Sequence, residues 1–365
     1  MSEADRRDAT GTLTDRLPGR LAGIGNRGLF VVATLLVLVV IGVFGALNPE
    51  STTGRLFDIL TDKSTLASAL RLSVPIAFAA LGGIFAEKSG VINIGLEGLL
   101  IIGAFGGVYA TDITGSIWIG MGAGVLASTI LAALFAVVTI EFRADQIIAG
   151  LAIWLIALGL APFLSQVIYG GPNTDSVETF SSITIPYLSE IPFFGALFDA
   201  SPVVYLMFAA VGASWYTLYR TSFGRWVIAS GENPKALDTA GVSVRKVRYA
   251  AVMLSGVLSG IGGAALSLSL GQFTGNGPTM VNGKGFIAIV AYLFGNYNPI
   301  GAMLSTLLFA GLDAVQLTLQ ARDVLAIPKP LVRTIPYLTV IVVLALVGKT
   351  RIPKAAGEHY ESGEE

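Results

Sequence analysis

Residues 28–47 read GLFVVATLLVLVVIGVFGAL, an apolar run without a charged residue that ends at Asn48-Pro49. About 20 apolar residues are needed for a helix to cross a hydrocarbon core ~30 Å thick. The run therefore predicts a transmembrane helix, and the Asn-Pro pair marks where it stops. Residues 1–27 before it are polar, and the run is longer than the core of a typical secretion signal, so we expect it to be a retained first span.

The rest of the chain has a similar composition. Its 365 residues are 53% hydrophobic and 13% charged, with a mean hydropathy of +0.73, whereas soluble domains carry about 25% charged residues. We therefore expect an all-α integral membrane protein of about ten transmembrane helices. The ten candidate spans are residues 28–47, 66–86, 96–110, 117–140, 147–169, 202–219, 249–270, 286–296, 300–319 and 331–347. Segments 96–110 and 286–296 are short, so either could be tilted, broken or re-entrant.

The distribution of basic residues predicts the orientation of the spans. With the N-terminus inside, most of the 23 lysines and arginines fall in inside segments, as the positive-inside rule requires. Both termini are then cytoplasmic. The expected organisation is a polar N-terminal tail (1–27, disordered), a transmembrane permease domain (28–348) with a long inside loop (220–248), and a polar C-terminal tail (349–365). Spans two to five and seven to ten would have opposite orientations, as in transporters built from two inverted-topology repeats.

Several functional classes are excluded by composition and motifs. The net charge is −1 and no basic patch is interleaved with aromatic residues, so nucleic acid is not an expected partner. There are no cysteines, and neither a metal-ligand cluster nor a catalytic constellation is recognisable. Gly283-Lys284 and Gly348-Lys349-Thr350 lack the spacing of a phosphate-binding loop. We expect no catalytic residue and no metal site, and any ATP must be bound by another chain.

The inside loop contains the first informative motif, GENPKALDTAGVSV. Asn233 suits a helix N-cap, Pro234 the first helical turn, and Gly241 a left-handed residue that ends a helix. This predicts a short helix over residues 234–240, tied at both ends to spans. It could transmit force from a partner that grips it, or it could be a surface helix whose basic residues only satisfy the positive-inside rule.

The second motif, EKSGVINIGLEG, covers residues 87–98. Asn93, Gly95, Glu97 and Gly98 stand at membrane depth or its cytoplasmic edge, where a carboxylate is costly to desolvate. One interpretation places this unwound stretch beside a translocation path. The other is that Glu97 caps or pairs with a neighbouring helix.

Two further segments are rich in helix breakers: GQFTGNGPTMVNGKG at 271–285 and GNYNPIG at 295–301. Each could bind a polar solute or line a gate, or could be an ordinary turn, and for the second we favour the turn. Asp313, inside the ninth candidate span, is either a path residue or part of an internal pair.

On the two polar motifs, together with AVMLSGVLSGIGGA at 251–264, the sequence resembles the permease family of ATP-binding-cassette importers for branched-chain amino acids, simple sugars and nucleosides. The resemblance runs from about Leu66 to Val347. ALGGIFAEKSGVINIGLEGLLIIGAF at 80–105 and FGNYNP are similar to the nucleoside branch and differ from the Asp-Leu-Ser pattern usual in the sugar branch.

This resemblance implies a multi-pass subunit of the cell membrane that imports a small polar solute, most readily a purine or related nucleoside. It implies a heterodimer with a second permease of similar fold, a cytoplasmic ATPase that binds ATP and Mg, and an extracellular or periplasmic solute-binding lipoprotein. The residues implied to face the ATPase are Asn233, Pro234, Lys235, Ala236, Ala240 and Gly241. Those implied to lie near the inner part of the path are Glu87, Asn93, Gly95, Glu97 and Gly98.

Three alternatives remain at this point. A permease for a simple sugar such as ribose would share the family motifs. A secondary transporter working alone could use Glu97 and Asp313 as proton or sodium sites. A membrane-embedded enzyme is the least supported, because the sequence shows no catalytic group.

Overall fold

A computed structural model describes residues 42–322 and 351–361, together with residues 331, 334 and 338. The first and last candidate spans and the N-terminal tail therefore lie largely or wholly outside the described residues. The described helices are α1 (Thr52–Thr61), α2 (Lys63–Lys88), α3 (Leu96–Thr114), α4 (Ile117–Ala136), α5 (Gln146–Tyr169), α6 (Pro202–Arg220), α7 (Ser222–Glu232), α8 (Pro234–Thr239), α9 (Val244–Leu270), α10 (Lys284–Phe294) and α11 (Pro299–Arg322).

Seven helices in this part of the chain are long and apolar enough to cross a bilayer: α2, α3, α4 with its π-helical extension Val137–Glu141, α5, α6, α9 and α11. Each coincides with a candidate span, so the prediction of a mostly helical membrane protein is confirmed. The candidate at 286–296 corresponds to α10, which has 11 residues and is about 16 Å long at 1.5 Å per residue. A helix of that length covers about half of a ~30 Å hydrocarbon core.

The chain divides into two compact units. The smaller contains helical residues 42–47 and α1, where the backbone N–H of Asn48 donates to Phe44 O over 3.1 Å. Asp58 of α1 forms an ion pair with Arg322, 2.7 Å between Oδ2 and Nη1. The larger unit holds α2 to α10, all of α11 except Arg322, and residues 351–361.

Within the larger unit, α2, α3 and α9 form the centre. Their most apolar stretches are 89%, 72% and 78% buried, whereas the corresponding stretch of α5 is only 28% buried. The outer helices expose large apolar side chains such as Leu126 of α4 and Leu155 and Phe163 of α5. A water-soluble protein rarely exposes such continuous apolar faces, and these faces are suited to a membrane.

Small residues allow the central helices to approach closely. Gly260 of α9 packs against Gly103 of α3 and Val125 of α4, and a Cβ built on Gly260 would lie 2.7 Å from the Val125 Cα. Ser267 of α9 donates to Ala104 O over 2.8 Å. In lipid, where apolar tails offer no hydrophobic driving force between helices, this close backbone packing and such hydrogen bonds hold helices together.

The two ends of the larger unit differ. At one end, the loop end, residues 170–201 carry a two-residue antiparallel pair, Ile183–Thr184 with Asp199–Ala200, and a 3₁₀ helix, Phe194–Phe198. Hydrogen bonds from Thr184 and Lys63 lower the pKa of Asp199. At the other end, the tail end, α7, α8 and residues 351–361 lie beside the end of α2 and the first turns of α9.

Candidate translocation path and cytoplasmic surface

The stretch between α2 and α3 returns from the tail end into the helical core. Asn93 is buried; its Nδ2 donates to Ser255 Oγ of α9 over 3.1 Å, and its Oδ1 accepts from the N–H of Gly95 over 3.0 Å. The N–H of Ile92 donates to Gln146 Oε1 over 2.7 Å. Side-chain oxygens thus accept hydrogen bonds from backbone N–H groups that would be bonded within a continuous helix. Non-helical backbone at membrane depth is tolerated only where its polar groups have such partners.

Glu97 joins the beginnings of two helices. It stands in the first turn of α3 and is 2% exposed. Its Oε1 accepts from the N–H of Gly283 over 2.7 Å and its Oε2 from the N–H of Gly285 over 2.6 Å. These N–H groups belong to the start of α10, where helical backbone donors lack partners and the helix dipole is positive. The carboxylate therefore caps α10.

Lys284 supplies positive charge at the same place. Its Nζ donates to Val281 O over 3.2 Å, and it interacts electrostatically with both Glu97 and Asp313 of α11. The Lys284 ammonium at the start of α10 thus lies within electrostatic range of one carboxylate from α3 and another from α11. Glu97 is buried, and Lys284 and Asp313 are half-buried; charged groups at such positions are better tolerated where opposite charges lie nearby.

A second polar cluster lies at the other end of α10. The hydroxyls of Tyr292 and Tyr297 donate to the two carboxylate oxygens of Glu87, with 2.6 Å between Tyr297 Oη and Oε2. The Lys88 ammonium lies 5.9 Å from the centroid of the Tyr297 ring, within the range of a cation–π contact. The helix α10 is consequently held at its start by Glu97 and at its end by Glu87.

The structure separates the predicted path residues into two groups. Glu87, Asn93 and Glu97 carry the polar contacts just described. Gly95 and Gly98 lie against α5, where a Cβ on Gly98 would meet the backbone of Ile153 and Trp154. In this conformation the two glycines serve close helix packing.

Sequence reasoning did not identify Tyr292 and Tyr297 as part of the site. Tyr297 belongs to the GNYNPIG segment, which does form a turn: Asn296 and Tyr297 have φ values of 52° and 56°. The turn also directs a buried tyrosine at Glu87. The sequence did offer one signal, a tyrosine within a segment of helix-breaking residues. A buried tyrosine hydroxyl usually needs a polar partner, so Tyr297 could have been predicted to contact a polar group.

At the tail end, α8 has the predicted local structure. Asn233 Oδ1 accepts from the N–H of Ala236 over 3.1 Å, Pro234 occupies the first turn, and Gly241 has a φ of +82°. The helix ends at Thr239, one residue before the predicted end. Leu237 is buried, whereas the residues predicted to face a partner are exposed or half-buried: Asn233, Pro234, Lys235, Ala236, Ala240 and Gly241.

Charged residues surround α8. Arg245 Nε donates to Glu141 Oε1 over 2.6 Å, and the Tyr249 hydroxyl donates to the same oxygen over 2.8 Å. A cavity of about 580 Å³ is lined by Glu141, Arg245, Asp238, Gly241 and residues 359–361 of the C-terminal segment. Among the described residues, no group of three or more His, Cys, Asp or Glu side chains is arranged to hold a metal ion.

Comparison with known proteins identifies the family. Residues 65–346 match the family described as "Branched-chain amino acid transport system / permease component". The chain belongs to this family of permeases. The match begins in α2 and continues past α11, so both polar clusters and α8 lie within it.

Individual relatives resemble the permease over most of its length. It is 38% identical over 306 residues to the nucleoside ABC transporter permease protein NupC of Lactococcus lactis subsp. cremoris, covering 81% of this chain and 96% of the relative. It is 37% identical over 320 residues to the guanosine ABC transporter permease protein NupQ of Bacillus subtilis, covering 84% and 99%.

A sugar permease is almost as similar. The putative glucose ABC transporter permease protein TsgC13 of Haloferax volcanii is 35% identical over 302 residues, which cover 77% of this chain and 90% of the relative. No solved structure matches the chain. The family match and the seven apolar helices together show that the permease is a multi-pass protein of the cell membrane. Its relatives are transport components.

Proposed function

We propose that this permease is the membrane subunit of an ABC importer that carries nucleosides, with a purine nucleoside as the expected solute. The observation that carries the proposal is the similarity to the nucleoside and guanosine permeases, which extends over 96% and 99% of those relatives at 38% and 37% identity. The putative glucose permease TsgC13, at 35% identity over 90% of its length, makes a simple sugar the second candidate solute.

The chain itself would carry out no chemistry. ATP and Mg would be bound by a cytoplasmic ATPase subunit, and its movement would reach the membrane helices through α8. A second permease of similar fold would complete the path as a heterodimer, and a solute-binding lipoprotein would deliver the nucleoside to the loop end. Both termini would be cytoplasmic, with about ten crossings arranged as two inverted repeats.

The half-length helix α10 is the element best placed to change the path. Glu97 accepts hydrogen bonds from the backbone at the start of this helix, and Glu87 accepts from the hydroxyls of Tyr292 and Tyr297 at its end. Discontinuous helices with polar ends at mid-depth are typical of solute sites in transporters. Glu87, Asn93, Glu97 and the Lys284 ammonium are the groups we expect to respond when the path opens, whereas Gly95 and Gly98 would keep α3 in contact with α5.

Transport in proteoliposomes tests this function. The permease is reconstituted with its partner permease and ATPase, and binding protein loaded with labelled guanosine is added outside. We expect accumulation that requires ATP and is not reduced by excess glucose or ribose. Uptake of glucose instead would support the sugar alternative. Uptake by the permease alone, driven by a proton or sodium gradient, would show a secondary transporter and refute the proposal.

A further inference from the structure

The C-terminal segment, residues 351–361, crosses the tail end of the larger unit. The N–H of Arg351 donates to Asn296 Oδ1 over 3.0 Å, next to the turn that follows α10. The N–H of Ala355 donates to Gly231 O of α7 over 2.8 Å, and the N–H of Gly357 donates to Gly90 O over 3.0 Å. Backbone hydrogen bonds to three separate elements define one course for this segment.

A buried arginine fixes the middle of the segment. Arg248 of α9 is 4% exposed, and its Nη1 donates to Glu358 O over 2.7 Å. Ala355 is also buried. Burying a guanidinium is unfavourable unless it is hydrogen-bonded and compensated. The C-terminal segment supplies a carbonyl to Nη1 and the nearby Glu358 charge, while Nε and Nη2 have no hydrogen-bond partner among the described residues. The segment thus satisfies part of the guanidinium, and this contact couples its position to the core of the permease.

The end of the segment reaches α8. The Tyr360 hydroxyl donates to Asp238 Oδ2 of α8 over 3.1 Å, and Glu361 forms an ion pair with Arg143. A helix of six residues has little intrinsic stability, and Leu237 is its buried apolar residue. The contact between Tyr360 and Asp238 therefore adds a second attachment that restricts rotation of α8 about its axis.

Side chains of both elements line the same cavity. His359 and Tyr360 of the C-terminal segment line the 580 Å³ cavity together with Asp238, Gly241 and Arg245. The lining contains both signs of charge, which suits polar loops of a water-soluble partner. The long outer faces of α4 and α5, by contrast, are apolar and suited to a membrane.

We infer that the C-terminal segment and α8 form one composite docking surface for the ATPase subunit, in which Tyr360 positions α8 and His359 adds a direct contact. This inference rests on the proposed function, since that function requires an ATPase. It extends the function by assigning part of the ATPase contact to residues far from α8 in the sequence.

The test measures the Kd between the ATPase subunit and the permease heterodimer in nanodiscs. The variants are Tyr360→Phe, which removes one hydroxyl, and His359→Ala, which truncates an exposed side chain. We expect each to raise the Kd roughly three- to tenfold, the range that corresponds to losing one typical intramolecular hydrogen bond or one modest interface contact. Tyr187→Phe, in the loop at the opposite end, is the matched control and should leave the Kd unchanged.

A double-mutant cycle separates positioning from general destabilisation. If Tyr360 acts through α8, combining Tyr360→Phe with Asp238→Ala should raise the Kd no further than Asp238→Ala alone. A wild-type Kd for both Tyr360→Phe and His359→Ala would overturn the inference, as would additive effects in the cycle. If the wild-type permease binds no ATPase at all, the proposed function itself fails, and this outcome is recognised before any variant is compared.

Discussion

Glu97 shows how a single side chain can organise two helices. Its two carboxylate oxygens accept from two backbone N–H groups at the start of α10 while the residue itself stands in the first turn of α3. Negative charge is favoured at both helix N-termini. The residue is therefore a structural link as well as a member of the proposed path.

Replacing Glu97 by glutamine should destabilise the permease. The amide keeps the shape of the side chain but offers one oxygen, so one of the two glycine N–H groups loses its acceptor, a loss that costs about 1–3 kcal/mol. Thermal unfolding in detergent should show a lower midpoint for Glu97→Gln. The matched change Glu190→Gln, at an exposed position of the loop end, should have little effect, and equal midpoints for the two variants would contradict the capping role.

Gly241 offers a second test at the residue scale. A Cβ at Gly241 meets no atom within 4 Å, but its φ of +82° is a conformation in which other residues are strained. We expect Gly241→Ala to cost about 1 kcal/mol and to loosen the end of α8, which hydrogen exchange of residues 233–243 would detect. Gly212→Ala in α6 also meets open space and should not accelerate exchange there, because alanine is favoured within helices.

At the scale of elements, α9 can pack closely against α3 and α4 because Gly260 has no side chain. Gly260→Ala would place a methyl group 2.7 Å from the Val125 backbone, and overpacking of this kind costs about 1–3 kcal/mol. We expect a reduced yield of monodisperse protein and a lower unfolding midpoint. Gly122→Ala, on the same partner helix α4 but facing open space, is the control. An unchanged yield and unfolding midpoint for Gly260→Ala would mean that α9 and α4 can move apart without loss of stability, which would contradict this role of Gly260.

The helix α10 explains why segment length was informative but not sufficient. The short candidate at 286–296 indicated that a full crossing was doubtful, and the structure shows a helix of 11 residues. The length of the segment could not indicate which residues contact the two ends of this helix. Glu97 lies 188 positions from Gly285, and Glu87 lies 205 positions from Tyr292, so only folding brings these elements together.

At the scale of the whole molecule, the proposed topology makes the two ends face opposite sides of the membrane. The chain has no cysteine, so one introduced thiol reports a single position. In right-side-out cells, Tyr187→Cys should react with a membrane-impermeant maleimide, whereas Lys235→Cys should react only after permeabilisation. Both positions are exposed. Labelling of both from the same side would contradict the proposed arrangement.

The sequence by itself determined the membrane class, the positions of seven spans and the local form of α8. These features depend on apolar length and on capping residues that act within a few positions. The motifs around Glu97 and Asn233 also indicated the family that the comparisons identify. All of this information is local along the chain.

Only the tertiary structure decided what the polar residues do inside the core. It pairs Glu97 with Gly283 and Gly285, Glu87 with two tyrosines, and Asp238 with Tyr360. Burial makes Glu97 and Glu87 require partners, but burial does not specify which distant group supplies them. For these two carboxylates the choice depends on how α2, α3 and α10 pack, because close helix packing places the partners within hydrogen-bonding distance.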